Sequence, residues 1–272
     1  MKLFAGTGRL YTAVAVCAVL AAVGGTTGAL AAGGKALGVN PAANVQTKTD
    51  TKVLTVGSDL FIGDRVITAE YGQVQIKFDD GTELVVGPNS SMLLEDYLLR
   101  SDGSAGKLAI NALAGTFRFV TGSAPKDKYL IKTPTGTIGV RGTAFDFNVT
   151  SEGTKVLLYH GGVIMCNLDN TCIKLDGTCE VGTFDLTDAE VIGPTSNVTG
   201  QDRRDLQDQF KYAQSQSPLL NEFWIEKARQ CLNKPFVGGT PEGPGVTNSA
   251  PVGDEPNHDC YDYDGETYCG GF

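Results

Sequence analysis

Between Val53 and Met165 the apolar residues recur at every second position, interrupted by turn-forming residues. Val74, Ile76 and Phe78 alternate with Gln75 and Lys77. Asp80-Gly81 follows, and Leu84 and Val86 alternate on the far side until Gly87-Pro88-Asn89. A period of two places successive side chains on opposite faces of a strand. Asp-Gly is a tight-turn dipeptide, so this stretch predicts a β-hairpin. The rhythm continues through Leu108, Ile110 and Ala112, then Phe117 and Phe119 around Arg118, then Tyr129 and Ile131 before Thr133-Pro134. Ile138 and Val140 lead into Arg141-Gly142-Thr143, and Phe145, Phe147 and Val149 alternate around Asp146 and Asn148. Val156 and Leu158 run up to His160-Gly161-Gly162, and Val163 and Met165 close the series. Turn signals spaced about eight to twelve residues apart predict an all-β main domain: a short-strand roll, jelly-roll-like or β-helical sandwich, its core made by two faces packing together.

Near Asn197 the period lengthens. In "GQDRRDLQDQFKYAQSQ", Leu206, Phe210 and Ala213 stand at helical spacing. Ser217-Pro218 reads as a cap followed by proline at the first helical position. Leu220, Trp224, Ala228 and Cys231 then read as the apolar stripe of a second helix, and the two helices are expected to cover one end of the β domain. From Lys234 the chain is rich in Pro and Gly, the composition of an extended linker. The expected organisation is a signal peptide over residues 1–31, a small, polar, flexible lead-in over 32–52 and the β domain over 53–195. A helical segment over 196–233, a linker over 234–253 and an acidic, disulfide-tied tail over 254–272 complete it.

The amino terminus changes this picture by adding a destination. Lys2 and Arg9 precede an uncharged run from Tyr11 to Gly34, and Ala29-Leu30-Ala31 fits a small-x-small cleavage site with Ala32 as the first mature residue. A retained anchor is the rival reading, since the run is long enough to span a bilayer, although Gly24, Gly25, Thr26, Thr27 and Gly28 dilute it. Cys17 follows Val16 rather than a small residue, so no lipid attachment is read. The expected location is the periplasm or the exterior of a Gram-negative envelope, with membrane association only if the leader is retained. The six cysteines beyond Cys17 suit export, because an even number in an oxidising compartment suggests disulfides. Six allow 15 pairings. Locality favours Cys260–Cys269 and Cys166–Cys172, leaving Cys179–Cys231. Zinc is not expected, since the spacings are not CxxC and His160 and His258 are the only histidines.

Charge narrows the partners. The net charge of -9 over 272 residues argues against nucleic acid, which needs a basic face. Apolar residues at 41% suffice for a core, and 35 glycines fit short strands joined by turns.

Four motifs occur in order: Gly57 to Asp64 as G-x-x-x-x-x-G-D, Asp80 to Ser90 as DGT-x-L-x-x-G-P-N-S, Thr133 to Phe145 as TP-x-G-x-x-x-VRGT-x-F, and Val156 to Val163 as V-x-x-Y-x-G-x-V. Together, across residues 53 to 165, they resemble the FecR domain. The resemblance implies the periplasmic β domain of regulators that relay a signal from an outer-membrane receptor to a sigma factor. Those regulators begin with cytoplasmic sigma-binding helices, whereas about ten residues precede the apolar run here. The sigma-factor role is therefore not expected, and what transfers is an exported β scaffold for recognition.

Arg141 is the residue this motif singles out. Gly142 beside it permits an unusual dihedral, and Pro134 removes a ladder donor, so the strand is expected to start near Thr133 at an edge or after a turn. One reading buries Arg141 against a carboxylate of Asp64, Asp79 or Asp80, tying separate hairpins together. The other turns it outward toward a partner's carboxylate or phosphate. Arg141, Gly142, Thr143, Asp79 and Asp80 are the candidate binding or structural residues.

No catalytic residue, metal or cofactor is expected. There is no GxSxG elbow for His160 to serve and no phosphate-binding glycine loop. Asp262, Asp264 and Glu266 lack EF-hand spacing, and Asn89, Asn148 and Asn197 match N-x-S/T by coincidence in a bacterial chain. The expected function is a non-enzymatic interaction module in envelope signalling or assembly, acting on an envelope protein through strand edges or loops. A carbohydrate- or peptidoglycan-binding protein is the alternative, with Tyr71, Tyr97, Tyr129 and Tyr159 as the aromatics of a groove.

Overall fold

The computed structural model describes residues 32–99, 105–123, 128–232, 260–263 and 266–269. The chain divides into two compact units, residues 1–234 and residues 235–272. In the first unit, β1 (Gly34–Asn40), β2 (Ala43–Gln46), β3 (Thr51–Leu54), β4 (Asp59–Leu60), β5 (Arg65–Thr68), β6 (Gln73–Phe78), β7 (Glu83–Val86) and β8 (Ser91–Leu99) lead to the long strand β9 (Ala105–Val120). Then come β10 (Tyr129–Thr133), β11 (Gly136–Val149), β12 (Thr154–Asn167), β13 (Cys172–Leu175), β14 (Glu180–Phe184) and β15 (Ala189–Pro194). Short helices α1 (Gly200–Gln209), α2 (Lys211–Gln214) and α3 (Ala228–Leu232) end the unit. The second unit contains the hairpin of β16 (Cys260–Tyr263) and β17 (Glu266–Cys269).

The main domain is all-β, and three long strands organise it. The front half of β9 pairs with β8 and, in parallel, with β10, whereas its rear half pairs with β7 and β11. The front half of β11 lies between β10 and the rear half of β12; its rear half lies between β9 and the front half of β12. Front β12 continues to β14, and rear β12 to β13. Two layers result, sharing these three strands. The first runs β4-β1-β6-β7-β9-β11-β12-β14-β15, and the second runs β3-β2-β5-β8-β9-β10-β11-β12-β13.

A strand can change layers only where its backbone bends, and glycine supplies the bend. Gly115 of β9 has φ +110°, and a Cβ there would fall 2.0 Å from Ser90 Oγ, the atom that accepts the Thr116 N–H. Gly161 of β12 has φ +85°, with a would-be Cβ 2.1 Å from the Gly142 carbonyl oxygen. No side chain fits either place.

The alternating apolar residues of both layers meet in one core. Phe117 and Phe147 stack with centroids 4.8 Å apart, and Phe119 meets Tyr129 of the other layer edge-on at 5.8 Å. Phe78 and Tyr97 cross the layers at 5.6 Å. Each such side chain, fully buried, contributes about 1.5–3 kcal/mol.

Two expectations are corrected here. Residues 32–52 are not a flexible lead-in: β1 lies between β6 and β4, β2 lies between β3 and β5, and Ala36, Ala43 and Val45 enter the core. The second helix expected from Pro218 to Cys231 is only a 3-10 turn (Asn221–Phe223) and the short α3. Its backbone is drawn outward by side chains instead: Gln73 donates to the Pro218 carbonyl, Gln75 accepts the Leu220 N–H, and Gln216 bonds both the N–H and C=O of Ile225. Nor do the helices cap one end; they lie across the outer face of the first layer. The signal segment lies outside the described residues. Among those described, no helix is long and apolar enough to cross a membrane.

Candidate functional site

The outward residues of the first layer include Gln73, Gln75, Val85, Arg118, Asp146, Leu157, Tyr159 and Val181, all buried. They are buried because the chain from Leu206 to Leu232 lies over them, placing Leu206, Phe210, Ala213, Ile225 and Leu232 against Leu157, Tyr159 and Val181, and Tyr212, Leu219 and Phe223 against Val85. At the centre, Arg118 of β9 stands directly opposite Asp146 of β11. Arg118 Nε donates to Asp146 Oδ1 at 2.7 Å and Nη2 to Oδ2 at 3.1 Å, a bidentate pair with side chains 1% and 0% exposed. Nη2 also donates to the Tyr212 carbonyl at 3.0 Å, and Nη1 donates to Gln216 Oε1 and to the Phe223 carbonyl. Tyr159 donates its hydroxyl to Asp146 Oδ2 at 2.6 Å. The guanidinium carbon lies 5.5 and 5.6 Å from the Tyr159 and Tyr212 ring centres, within cation–π range.

Isolated buried charges cost several kcal/mol each, and only a fully bonded pair offsets that. Here five N–H groups of Arg118 find acceptors, three of them on the covering segment. Burial works against the Arg118 charge, but Asp146 and Tyr159 outweigh it and hold the guanidinium above its ordinary pKa. Burial, reinforced by the Asp146 charge, raises the Tyr159 and Tyr212 hydroxyls. At the rim, Lys77 reaches Glu222 at 2.9 Å and Glu83 at 3.2 Å. The Glu222 bond chiefly raises Lys77, while burial raises Glu83. This site locks the fold and is closed to ligands.

The sequence-predicted residues fall elsewhere. Arg141 is exposed, opposite Gly162 on β12, and its side chain has no hydrogen bond or ion pair among the described residues. The buried reading of Arg141 is thus corrected. Val140 points into the core, so Arg141 points out, and the ladder breaks immediately after it, where Gly142 has φ +62°. The aspartates named for it are occupied or remote in role. Asp64 accepts the Phe61 N–H at 2.8 Å, closing its own turn, and Asp79 is exposed. Asp80 is 4% exposed and accepts the Thr82 N–H, the Thr82 hydroxyl and the Tyr129 hydroxyl. The Thr121 hydroxyl accepts the Thr143 N–H and donates to the Thr143 carbonyl, which also accepts the Thr121 N–H, but the Thr143 Oγ1 is buried with no partner among the described residues. Of the two starts expected for the strand, the turn is the one found: β11 begins at Gly136 directly after the Pro134-Thr135 turn, and no edge opens at Thr133, because β10 lies between β9 and β11.

Cys166–Cys172 and Cys179–Cys231 are disulfides. Cys260 and Cys269 stand in register on β16 and β17, but their side chains lie outside the described residues, as does His258. The four tyrosines proposed for a glycan groove do not form one. Tyr129 and Tyr159 are buried, Tyr97 packs on the core with its hydroxyl pushed up to about 12 by burial and the Asp80 charge, and Tyr71 alone is exposed. His160 is exposed, and no group of three metal-ligating side chains gathers among the described residues.

The pair missed by sequence reasoning, Arg118–Asp146, had a signal. Phe-Arg-Phe and Phe-Asp-Phe share one phase, and the register matches Phe117 to Phe147, Arg118 to Asp146 and Phe119 to Phe145.

The outer face of the second layer is partly exposed among the described residues: Ala109 is buried, Leu130 and Gly139 are intermediate and Ile164 is exposed. Ile164, Gly139, Leu130 and Ala109 lie side by side across β12, β11, β10 and β9, and Ile164 is 51% exposed. A Cβ added at Gly139 would meet nothing nearer than the Ile164 carbonyl at 3.7 Å, so the floor is free above the backbone. Arg141 and Gly162 border this patch, and Lys132–Glu95 and Lys107–Asp96 pairs, both at 2.7 Å, stand on its far side. At the first layer's end, β15 has a ladder partner on one side only among the described residues, with Val191 and Ile192 exposed.

Fold and site define a two-layer all-β scaffold with one face sealed by the segment from Leu206 to Leu232 and another on which Ile164 is exposed. Residues 64–164 match the family model described as FecR protein. No curated protein matches the sequence. Similar solved structures include two crystal structures assigned as an anti-sigma factor from Parabacteroides distasonis ATCC 8503, at 16% and 14% identity. Each match covers 47% of this chain and 57% of the other, with TM-scores of 0.38 and 0.37. The similarity thus spans little more than half of those chains, and at that level it fixes neither fold nor function.

Proposed function

We propose that this is an exported, non-enzymatic interaction module in envelope signalling or assembly, and that the face of its FecR-type domain on which Ile164 is exposed receives a protein partner. The FecR family is regulatory rather than enzymatic, and two disulfides suit an oxidising compartment. The observation that carries the reading is the asymmetry of the faces. One outer face is sealed by the chain's own segment through a fully bonded ion pair, while the other leaves Ile164 on a glycine floor beside Arg141. An apolar centre bordered by charge is the make-up of a recognition patch. Tyr71 and Trp224, both partly or fully exposed, lie apart from this row of residues in sequence and strand.

The test is photo-crosslinking in envelope extract, with the crosslinker placed at Ile164 and, as control, at Val56, which is 65% exposed in a turn. A discrete protein adduct at position 164, absent at 56 and lost on Arg141→Glu, is the expected result. Equal labelling at both positions, or none, sinks the reading.

A further inference from the structure

On the same side of the second layer, away from the Ile164 patch, β2 and the turn after it border β5 and β8 around a shallow cleft of about 300 Å³. It is lined by Gln46, Thr47, Lys48, Gly63, Arg65 and Leu93. Pairing sets Arg65 between Gln46 on β2 and Leu93 on β8. Arg65 is half-buried and Lys48 exposed, and neither side chain has a hydrogen bond or ion pair among the described residues.

The surrounding carboxylates are committed elsewhere. Asp64 turns inward onto the Phe61 N–H. Asp50 accepts the Thr51 N–H at 2.8 Å and lies 4.0 Å from Lys52. Glu95 holds Lys132 and accepts the Asn111 amide, and Asp96 holds Lys107. The Thr47 hydroxyl donates to the Asp50 carbonyl, and the Gly63 N–H donates to Leu94. In a chain of net charge -9, the cleft concentrates two cations with no internal anion to answer them. A half-buried guanidinium has given up part of its hydration, and its planar fork of donors matches two oxygens of one oxyanion.

We propose that this cleft binds an oxyanion, a phosphate or carboxylate group of a small ligand. Arg65 holds two of its oxygens, Lys48 approaches from the turn, the Gln46 amide donates a further hydrogen bond, and Leu93 bounds the apolar side. The site is distinct from the Ile164 patch and stands whether or not that patch has a partner.

The experiment follows the Arg65 Nε–H and Gln46 side-chain amide resonances by NMR at pH 7. Inorganic phosphate or succinate is titrated in, with ionic strength held constant by chloride. A saturable shift at both groups with either anion supports the site, and the anion that saturates identifies the group. Charge-assisted bonds of this kind make the expected loss in Arg65→Gln about tenfold or more in affinity. Should Arg65→Gln fail to fold, Lys48→Gln, on an exposed turn, carries the comparison and is expected to weaken binding as well. No saturable shift with either anion, or a response unchanged in the folded variants, overturns the proposal.

Discussion

Arg118 shows how much one side chain can organise when every donor is used. It joins β9 to β11 through Asp146 and both to the covering segment through Tyr212, Gln216 and Phe223. Removing it leaves Asp146 buried and uncompensated, so Arg118→Ala is expected to lose about 3–5 kcal/mol in urea unfolding. Arg141→Ala, at an exposed and unpaired position, is expected to stay within about 0.5 kcal/mol of the parent. The reverse ranking would show that the wrong arginine has been assigned the structural role. Thr143→Val is expected to raise stability by about 1 kcal/mol, because it deletes a buried hydroxyl with no acceptor or donor; a loss of that size would reveal an unseen partner. Sequence reading reached the idea of a guanidinium bridging distant hairpins but chose Arg141. Alternation gave both arginines the same outward phase and could not reveal which outward face the rest of the chain would cover.

Among the elements, alternating strands were legible because one face of each meets the core. The β6–β7 hairpin stands where its Asp80-Gly81 signal predicts one, but it closes over three residues, Asp79-Asp80-Gly81, with Gly81 at φ +84° and Ile76 opposite Leu84. β1 and β2 were not legible, since Ala36, Gly38, Ala43 and Val45 are too small or too few to mark a strand by hydrophobicity. The segment after Pro218 failed for the opposite reason: its apolar residues stand at helical spacing, yet glutamines of the sheet take up its backbone groups. The disulfides act at this scale. Cys179–Cys231 closes 52 residues and fastens α3 beside β14, whereas Cys166–Cys172 closes six between β12 and β13. Chain entropy assigns about 4 kcal/mol to the first and about 2 to the second. Paired Cys→Ser variants, compared by denaturant midpoint, should therefore rank in that order. Equal losses would mean that the covering segment is held by its hydrogen bonds alone.

At the scale of the molecule, alkali should weaken the fold before acid does anything comparable to its tyrosines. Burial raises Tyr97 to about 12 and lifts Tyr159 and Tyr212 in the same direction, while an unfolded tyrosine titrates near about 10. Above that pH the unfolded chain gives up protons that the native chain keeps. Stability is full below about pH 10 and falls as pH rises toward 12. Lys77, raised by Glu222, pulls the same way. Melting temperatures between about pH 8 and 11.5 should decline with a steepening slope, less so in Tyr97→Phe; a flat profile would contradict the burial of these hydroxyls. The three strands that pass through both layers have a mechanical corollary. Because β9, β11 and β12 are stitched into each sheet in turn, neither can be peeled away while the other survives. Amide protons at Ile110 and at Phe145, on opposite sides of the core, should exchange with deuterium at a common rate, set by rupture of the whole body rather than by local breathing.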